Sequence, residues 1–256
     1  MNPVFESLAD RVVVITGASS GIGRAAAHAF GRQRAQVVLA ARREEPLQDA
    51  ALEAEACGSP GAFAVPTDVT RATAVEALAQ RTMDEFGRID IWINNAGVGL
   101  FGPFTSAAVD AHRRVVEINL FGAIHSAAAV LPIFRRQDQG VMITNISVGG
   151  FVPTPFAAAY TASKFGLRGF MASLRAEFET HRRIQLCSLF PAVVDTPGFL
   201  HGANVSGHEL HPPRAPLLSP DEVANAMVRL ALHPRAELAV GWPTRPAQAG
   251  YALAPR

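Results

Sequence analysis

Tyr160 and Lys164 stand four residues apart, and Ser147 lies thirteen residues before the tyrosine at the end of an apolar run. Small and apolar residues recurring at three and four spacings predict a helix over 156–178. Positions i and i+4 share a helix face, so the phenol and the ammonium would stand side by side. An ammonium next to a phenol favours the phenolate and lowers its pKa from the usual ~10. A phenol tuned in that way can pass a proton to a carbonyl oxygen or take one from an alcohol. Tyr-x-x-x-Lys alone is also the pattern of an exposed helix pair, and composition weighs against that reading. Among 23 Lys and Arg residues Lys164 is the single lysine, and Tyr160 is one of two tyrosines. A chain that uses arginine everywhere else keeps a lysine where a compact point charge is wanted and a planar fork will not do.

The elements that must hold these residues alternate along the chain. Residues 11–16 form a short β-branched run, the mark of a strand buried on both faces. A glycine-rich turn at 17–23 and a helix at 24–34 follow it. Further strands are expected at 36–41, 61–66, 89–94, 141–146, 184–190 and, short, at 237–240. Helices are expected at 44–56, 71–86, 108–134 and 156–178. Ser219-Pro220-Asp221-Glu222 opens one more helix, with serine as N-cap, proline first and glutamate three residues on. Strand–helix alternation predicts an α/β fold: a Rossmann-type, doubly wound parallel sheet of about seven strands with helices on both faces. Residues 1–241 read as one domain. Within it 198–218, rich in proline, histidine and glycine without periodicity, reads as a long loop covering a site. A Pro/Ala-rich tail occupies 242–256.

Composition excludes several classes. Hydrophobic residues make up 49% and charged ones 18%, enough for a large core and unlike a disordered chain. The net charge of +1 gives no electrostatic case for nucleic acid. Long charge-free stretches are broken by Gly, Pro, Asn, Ser and Thr, so no membrane span is expected. Two cysteines, Cys57 and Cys187, read as buried thiols in a reducing compartment, and a cytoplasmic location is expected.

A strand, a glycine turn and a helix begin a dinucleotide-binding unit, in which the helix N-terminus attracts a pyrophosphate. Gly17, Gly21 and Gly23 supply the turn, although their spacing is not G-x-G-x-x-G. At the end of the second strand, where a carboxylate marks a free ribose 2′-hydroxyl, the chain has Arg42 and Arg43. Two guanidiniums suit a 2′-phosphate, which favours NADP over NAD. Glu44 and Glu45 follow directly, so the arginines are alternatively ion-paired surface charges.

Taken together, these residues resemble the short-chain dehydrogenase/reductase family in its compact single-domain branch, over roughly 8–196. Thr16-Gly-Ala-Ser-Ser-Gly-Ile-Gly23 resembles its T-G-x-x-x-G-x-G loop, Asn94-Asn95-Ala96-Gly97 its N-N-A-G segment, and Ser147, Tyr160 and Lys164 its catalytic set. Asn119 resembles its helix asparagine, and Asp68-Val69 its adenine-contacting pair. The resemblance implies Tyr160 as general acid/base, Ser147 bonded to the substrate oxygen, and Lys164 tuning the tyrosine and binding the nicotinamide ribose. Asn119 would hold a water linking Lys164 to solvent. It further implies cofactor contacts from Gly17, Ser19, Ser20, Gly21, Ile22, Gly23, Asn95, Ala96, Gly97, Pro191, Val194 and Thr196. No metal is needed, and a homodimer or homotetramer is expected. Ala192 replaces the usual glycine after the sixth strand, and the glycine-rich C-terminus of the family is missing. Phe101, Phe104, Phe151, Val152, Phe156, Phe199 and Leu200 flank the site and suggest an apolar ketone, aldehyde or secondary alcohol. The alternative is a non-catalytic dinucleotide-binding regulator or scaffold, which would not need Tyr160 and Lys164.

Overall fold

The computed structural model describes residues 4–196, 203–207 and 217–241. Seven parallel strands form the sheet: β1 (Val12–Thr16), β2 (Gln36–Ala41), β3 (Ala62–Pro66), β4 (Ile91–Asn94), β6 (Gly140–Asn145), β7 (Ile184–Pro191) and β9 (Glu237–Val240). Their order across the sheet is β3-β2-β1-β4-β6-β7-β9. The expected doubly wound α/β architecture is what forms. Two two-residue strands, β5 (Leu100–Phe101) and β8 (Ala203–Asn204), pair separately in parallel.

Alternation along each strand builds two apolar layers. Val13, Ile15, Val37, Leu39, Ile91 and Ile93 face α1 (Gly21–Arg32), α2 (Glu44–Ala56) and α7 (Pro220–Leu232). Val12, Val14, Val38, Ala40 and Trp92 face α3 (Ala72–Phe86), α5 (Gly122–Gln137) and α6 (Ala158–Glu177). Strands packed on both faces must be apolar throughout, and β1 is five buried residues in a row. At the start of β4, fully buried Asp90 accepts the Val12 amide at 3.0 Å and pairs with Arg88 and Arg11. Ser219 and Glu222 close the capping box expected at the start of α7.

Several boundaries differ from the sequence pattern for identifiable reasons. The long helix expected at 108–134 is α4 (Val109–Val116), a π-turn (Glu117–Phe121) and α5. Hydrophobic periodicity tolerates one extra residue per turn, so such a turn is invisible to it. The helix expected from 156 starts at Ala158, because Phe156 has φ 60° and Ala157 is also non-helical. Helical residues 109–137 are long and apolar enough to cross a membrane, yet half of their most apolar window is buried in the fold. Cys187 is buried and pushed up to about 12 by burial, whereas Cys57 is only half-buried at the end of α2. Of the loop expected at 198–218, residues 203–207 and 217–218 are described, and 203–204 forms β8. Phe199, Leu200 and the tail at 242–256 lie outside the described residues.

Candidate active site

The chain reverses its winding direction between β1 and β4, leaving a crevice at their C-terminal ends, where open α/β sheets bind ligands. The glycine turn forms one wall. Gly17 has φ 68°, and a Cβ there would lie 2.8 Å from the Ala96 Cα. A Cβ on Gly23 would lie 2.2 Å from the Gly17 carbonyl oxygen. Ser20 is the N-cap of α1 but makes no side-chain cap bond, and the first turn carries no acidic residue. First-turn amides are therefore open to an anion. Ser19, Ser20, Gly21 and Ile22 are all half-buried along this turn.

The segment after β4 is bracketed onto that turn. Thr16 Oγ accepts from the amides of Asn95 (3.1 Å) and Ala96 (3.2 Å). Asn95 Nδ2 donates to the carbonyls of Thr16 and Gly17, and its Oδ1 accepts from Asn145 Nδ2 at 3.0 Å. Gly97 comes close to the next group in: a Cβ there would lie 3.3 Å from Asn119 Oδ1 and 3.8 Å from Lys164 Nζ.

Asn119 sits in the π-turn, 2% exposed. Its Oδ1 accepts the Val98 amide at 2.8 Å, while Nδ2 donates to the Val98 carbonyl and to Ser163 Oγ, both at 3.0 Å. Beside it, a cavity of about 10 Å³ is lined by polar Thr16, Asn94, Asn119, Thr144 and Asn145 and by apolar residues such as Val69, Ile118 and Leu167. That volume holds one water.

Ser147 follows β6 with φ 112°, outside the usual range for a side chain, and its Oγ accepts the Gly149 amide at 3.2 Å. Such strain is kept where surrounding structure enforces it, commonly at functional sites. Tyr160 is on the first turn of α6 and Lys164 one turn later, as the spacing predicts. Lys164 Nζ is 5.6 Å from the Tyr160 ring centroid and donates to the Asn145 carbonyl at 3.2 Å. The expectation that the ammonium lowers the phenol is not met. Burial raises Tyr160 above its ordinary value, and the only opposing pull is the Ser147 hydroxyl. Burial likewise brings Lys164 down to about 8. Both shifts share one cause: the pair is held in a dry place with little to stabilise either charge.

The outer residues arrange as follows. Arg42 and Arg43 follow β2, Arg43 as the N-cap of α2, exposed and without an ion pair among the described residues. Glu44 and Glu45 lie instead in the first turn of α2, and Glu44 accepts from Gln48. Asp68 and Val69 follow the neighbouring strand β3, and register pairs Ala41 with Pro66. Burial pushes the Asp68 carboxyl up, but hydrogen bonds from Thr70 and Arg114 outweigh it and the net shift is downward. On the other side of the crevice, Pro191 ends β7, Val194 bridges to Leu218, and Thr196 is half-buried beyond it. Ala192 keeps a negative φ and gives its amide to the Val240 carbonyl at 2.9 Å, so the missing glycine causes no backbone strain. Of the expected flanking aromatics, Phe101 reaches Tyr160 (ring centroids 6.4 Å apart), whereas Phe151 is buried against Phe190. Sequence reasoning overlooks Asn145, which holds both Asn95 and Lys164. Its one signal was a polar residue closing an apolar strand.

A family profile described as short chain dehydrogenase matches residues 11–201. The chain belongs to the short-chain dehydrogenase/reductase family, NAD(P)-dependent enzymes acting on CH–OH donors. It is 33% identical over 239 residues to the uncharacterized oxidoreductase YxnA of Bacillus subtilis, covering 93% of this chain and 67% of that protein. It is 32% identical to 11-beta-hydroxysteroid dehydrogenase A of Sesamum indicum, covering 89% of this chain and 67% of that one. Against the bovine dehydrogenase/reductase SDR family member 7B the chain is 35% identical, covering 74% of itself and 58% of the relative. It thus spans about two thirds or less of the length of these relatives. Two solved structures align closely. One is an alcohol dehydrogenase of the archaeon Thermococcus sibiricus complexed with 5-hydroxy-NADP, with TM-score 0.77, 28% identity and coverage of 90% and 95%. The other is a Burkholderia phymatum short-chain dehydrogenase/reductase with NAD, with TM-score 0.83, 25% identity and coverage of 97% and 93%.

Proposed function

We propose that this chain is an NADP(H)-dependent oxidoreductase that interconverts an apolar carbonyl compound and its alcohol. The observation that carries the reading is the convergence of Ser147, Tyr160 and Lys164 at the C-terminal end of β6, beside the bracketed glycine turn. A regulator or scaffold would have no need of a buried ammonium there without an ion-pair partner among the described residues.

The crevice fits a nicotinamide dinucleotide. The turn at Gly17 and Gly23 has no room for a Cβ, and the first turn of α1 presents open amides without a carboxylate. One hydrogen bond of Lys164 goes to Asn145, and its remaining N–H groups have no hydrogen-bond partner among the described residues. These are free for the ribose hydroxyls. When bound, the nicotinamide supplies or accepts the hydride. In the reducing direction Tyr160 delivers its hydroxyl proton to the carbonyl oxygen as the carbon receives the hydride, and Ser147 donates a hydrogen bond to that same oxygen. In the oxidising direction the tyrosine takes the proton back. Lys164, charged at neutral pH, favours the tyrosinate left after transfer. A raised Tyr160 pKa without cofactor keeps the phenol protonated, ready to act as the acid.

The guanidiniums of Arg42 and Arg43, without an ion pair among the described residues, favour the 2′-phosphate. Exposed Val109 and Phe121 support a homo-oligomer in the same reading. NADPH is expected to bind at least tenfold more tightly than NADH, about 1.4 kcal/mol. Dissociation constants for both cofactors, with Arg42→Ala and Arg43→Ala, test this. Equal constants in the native chain refute the preference, and turnover of any carbonyl in a panel refutes the scaffold alternative.

A further inference from the structure

We infer, on the dinucleotide reading above and whichever ribose it carries, that Arg114 and His125 are positioning residues that aim Asp68 and Val69 at the adenine edge of the cofactor. Neither is among the expected cofactor contacts. Asp68, Val69 and Thr70 follow β3 at its C-terminal end, on the side where the crevice opens. The Thr67 amide ties this segment to the Ala41 carbonyl at the end of β2 (2.8 Å), and Val69 lines the small cavity shared with Thr16 and Ala96. Three residues of the helical run that carries Asn119 hold it there. Arg114, on α4, donates to Asp68 Oδ2 at 3.2 Å and to Thr70 Oγ at 3.0 Å. His125, on α5, has Nδ1 2.9 Å from the Val69 carbonyl oxygen; a carbonyl only accepts, so this nitrogen carries the hydrogen. Between them Gly122 lets the helix close on the loop: a Cβ there would lie 2.9 Å from Val69 Cγ2.

These bonds decide which polar groups of the loop stay open. The Asp68 carbonyl accepts the Arg71 amide at 3.1 Å and the Val69 carbonyl accepts His125, so both are already engaged. Asp68 Oδ1 accepts twice, from the Thr70 amide (3.0 Å) and from the Thr70 hydroxyl (2.8 Å). A carboxylate offers about four lone-pair sites. With Arg114 on Oδ2, one acceptor site remains there, and the Val69 amide has no hydrogen-bond partner among the described residues. An open acceptor next to an open donor matches the adenine edge, whose amino group donates and whose ring N1 accepts. Hypoxanthine reverses both, with an oxo group in place of the amine and a hydrogen on N1. Stability does not account for Arg114. The Arg114 and Asp68 side chains are 41% and 30% exposed, and ion pairs so exposed add little to stability. Glu117 also approaches this guanidinium, at 3.6 Å, from the same helical run. What the planar fork adds is orientation: it bridges a hydroxyl and a carboxylate at once, and so fixes the rotation of the carboxylate as a point charge would not.

The test compares a dinucleotide with its hypoxanthine analogue by calorimetric titration of the whole chain, using NADPH or NADH, whichever binds more tightly. The native chain is expected to prefer the adenine form by about tenfold or more, since the analogue turns an oxo group to the carboxylate and an N–H to the Val69 amide. Arg114→Met keeps the stem and removes both bonds, and should bring the preference to within about threefold. His125→Phe should do the same. His125→Asn, which places an amide nitrogen near the site of Nδ1, should keep most of the preference. A purely structural role would weaken both dinucleotides alike and leave their ratio unmoved. Equal affinity of the native chain for the two forms overturns the inference and leaves the dinucleotide reading standing. So does an Arg114→Met or His125→Phe chain that keeps the full preference. A native chain that binds neither NADPH nor NADH overturns the dinucleotide reading and the inference together.

Discussion

The two sides of the crevice are built in opposite ways. Around the glycine turn, backbone meets backbone. A Cβ at Gly17 or Gly23 would collide with main-chain atoms at 2.8 and 2.2 Å, and the Asn95 side chain bonds to Thr16, Gly17 and Asn145. Across from it, side chains do the shaping. The nearest neighbour of a Cβ at Gly149 is the Tyr160 ring at 3.0 Å, Phe104 and Phe156 stand exposed, and the Phe101 and Tyr160 ring centroids lie 6.4 Å apart. Main-chain contacts are shared by any sequence that keeps the turn, whereas side-chain contacts change with each substitution. One side therefore suits a fixed ligand and the other a variable one.

The largest effects should come where the two sides meet. Tyr160→Phe removes the proposed proton donor and is expected to lower kcat by roughly 10²–10⁴-fold while leaving cofactor affinity nearly unchanged. Lys164→Arg keeps the charge and the helix, yet should cost roughly 10²-fold, because a planar fork cannot occupy the buried place of a compact ammonium. Steady-state kinetics and cofactor titration of both variants check this. An arginine variant within about threefold of the native rate would show that charge alone suffices.

On the glycine side, Gly23→Ala is expected to destabilise the chain by about 1–3 kcal/mol or more, because the obstructing atom is a carbonyl oxygen with no rotamer to change. Cofactor affinity should fall with stability. Denaturant titration and cofactor titration measure the two losses, and a native-like Gly23→Ala protein would refute the claim that backbone shapes this wall.

Lys164 also leaves a mark on stability. Burial holds it at about 8 instead of 10.5, so the folded chain binds fewer protons than the unfolded chain between those values. Stability therefore rises with pH across that interval, and below it the charged amine is a liability. Lys164→Met should be more stable than the native chain by about 1–3 kcal/mol at pH 7, an advantage that disappears towards pH 10.5. Denaturation at several pH values measures the difference. A constant gap would assign it to packing and not to the buried charge.

Local pattern made most of this legible. Strand alternation, the 3.6-residue period and the four-residue gap between Tyr160 and Lys164 are short-range properties, and they led to the sheet, the glycine turn and the placing of Tyr160 and Lys164 on one helix. What escaped depends on distant segments or on solvent. The β5–β8 ladder joins residues about a hundred positions apart. The π-turn at Glu117–Phe121 adds a residue that periodicity absorbs. The sign of the Tyr160 shift followed adjacency in the sequence reading, whereas in the fold it follows burial.

The smallest expected effect separates the two sides most clearly. Gly149 lies in the short 3₁₀ turn after Ser147, fully buried and at ordinary φ, so alanine adds no backbone strain. Its Cβ would lie 3.0 Å from Tyr160 Cε1, 3.5 Å from Thr154 Oγ and 3.7 Å from Ser147 Oγ. Each of those atoms belongs to a side chain, and the tyrosine ring can tilt by a few tenths of an ångström. Losing a glycine also restricts the unfolded chain, which contributes about 0.4–1 kcal/mol in favour of the fold. Gly149→Ala should therefore keep its stability within about 1 kcal/mol while kcat drops several-fold, since the displaced ring no longer meets the carbonyl oxygen squarely. Cofactor affinity should stay as it was. Melting temperature, kcat and cofactor affinity, measured beside Gly23→Ala, decide the matter. An unchanged kcat would mean that Tyr160 has slack, and a collapse in stability would mean that this wall is as unyielding as the other.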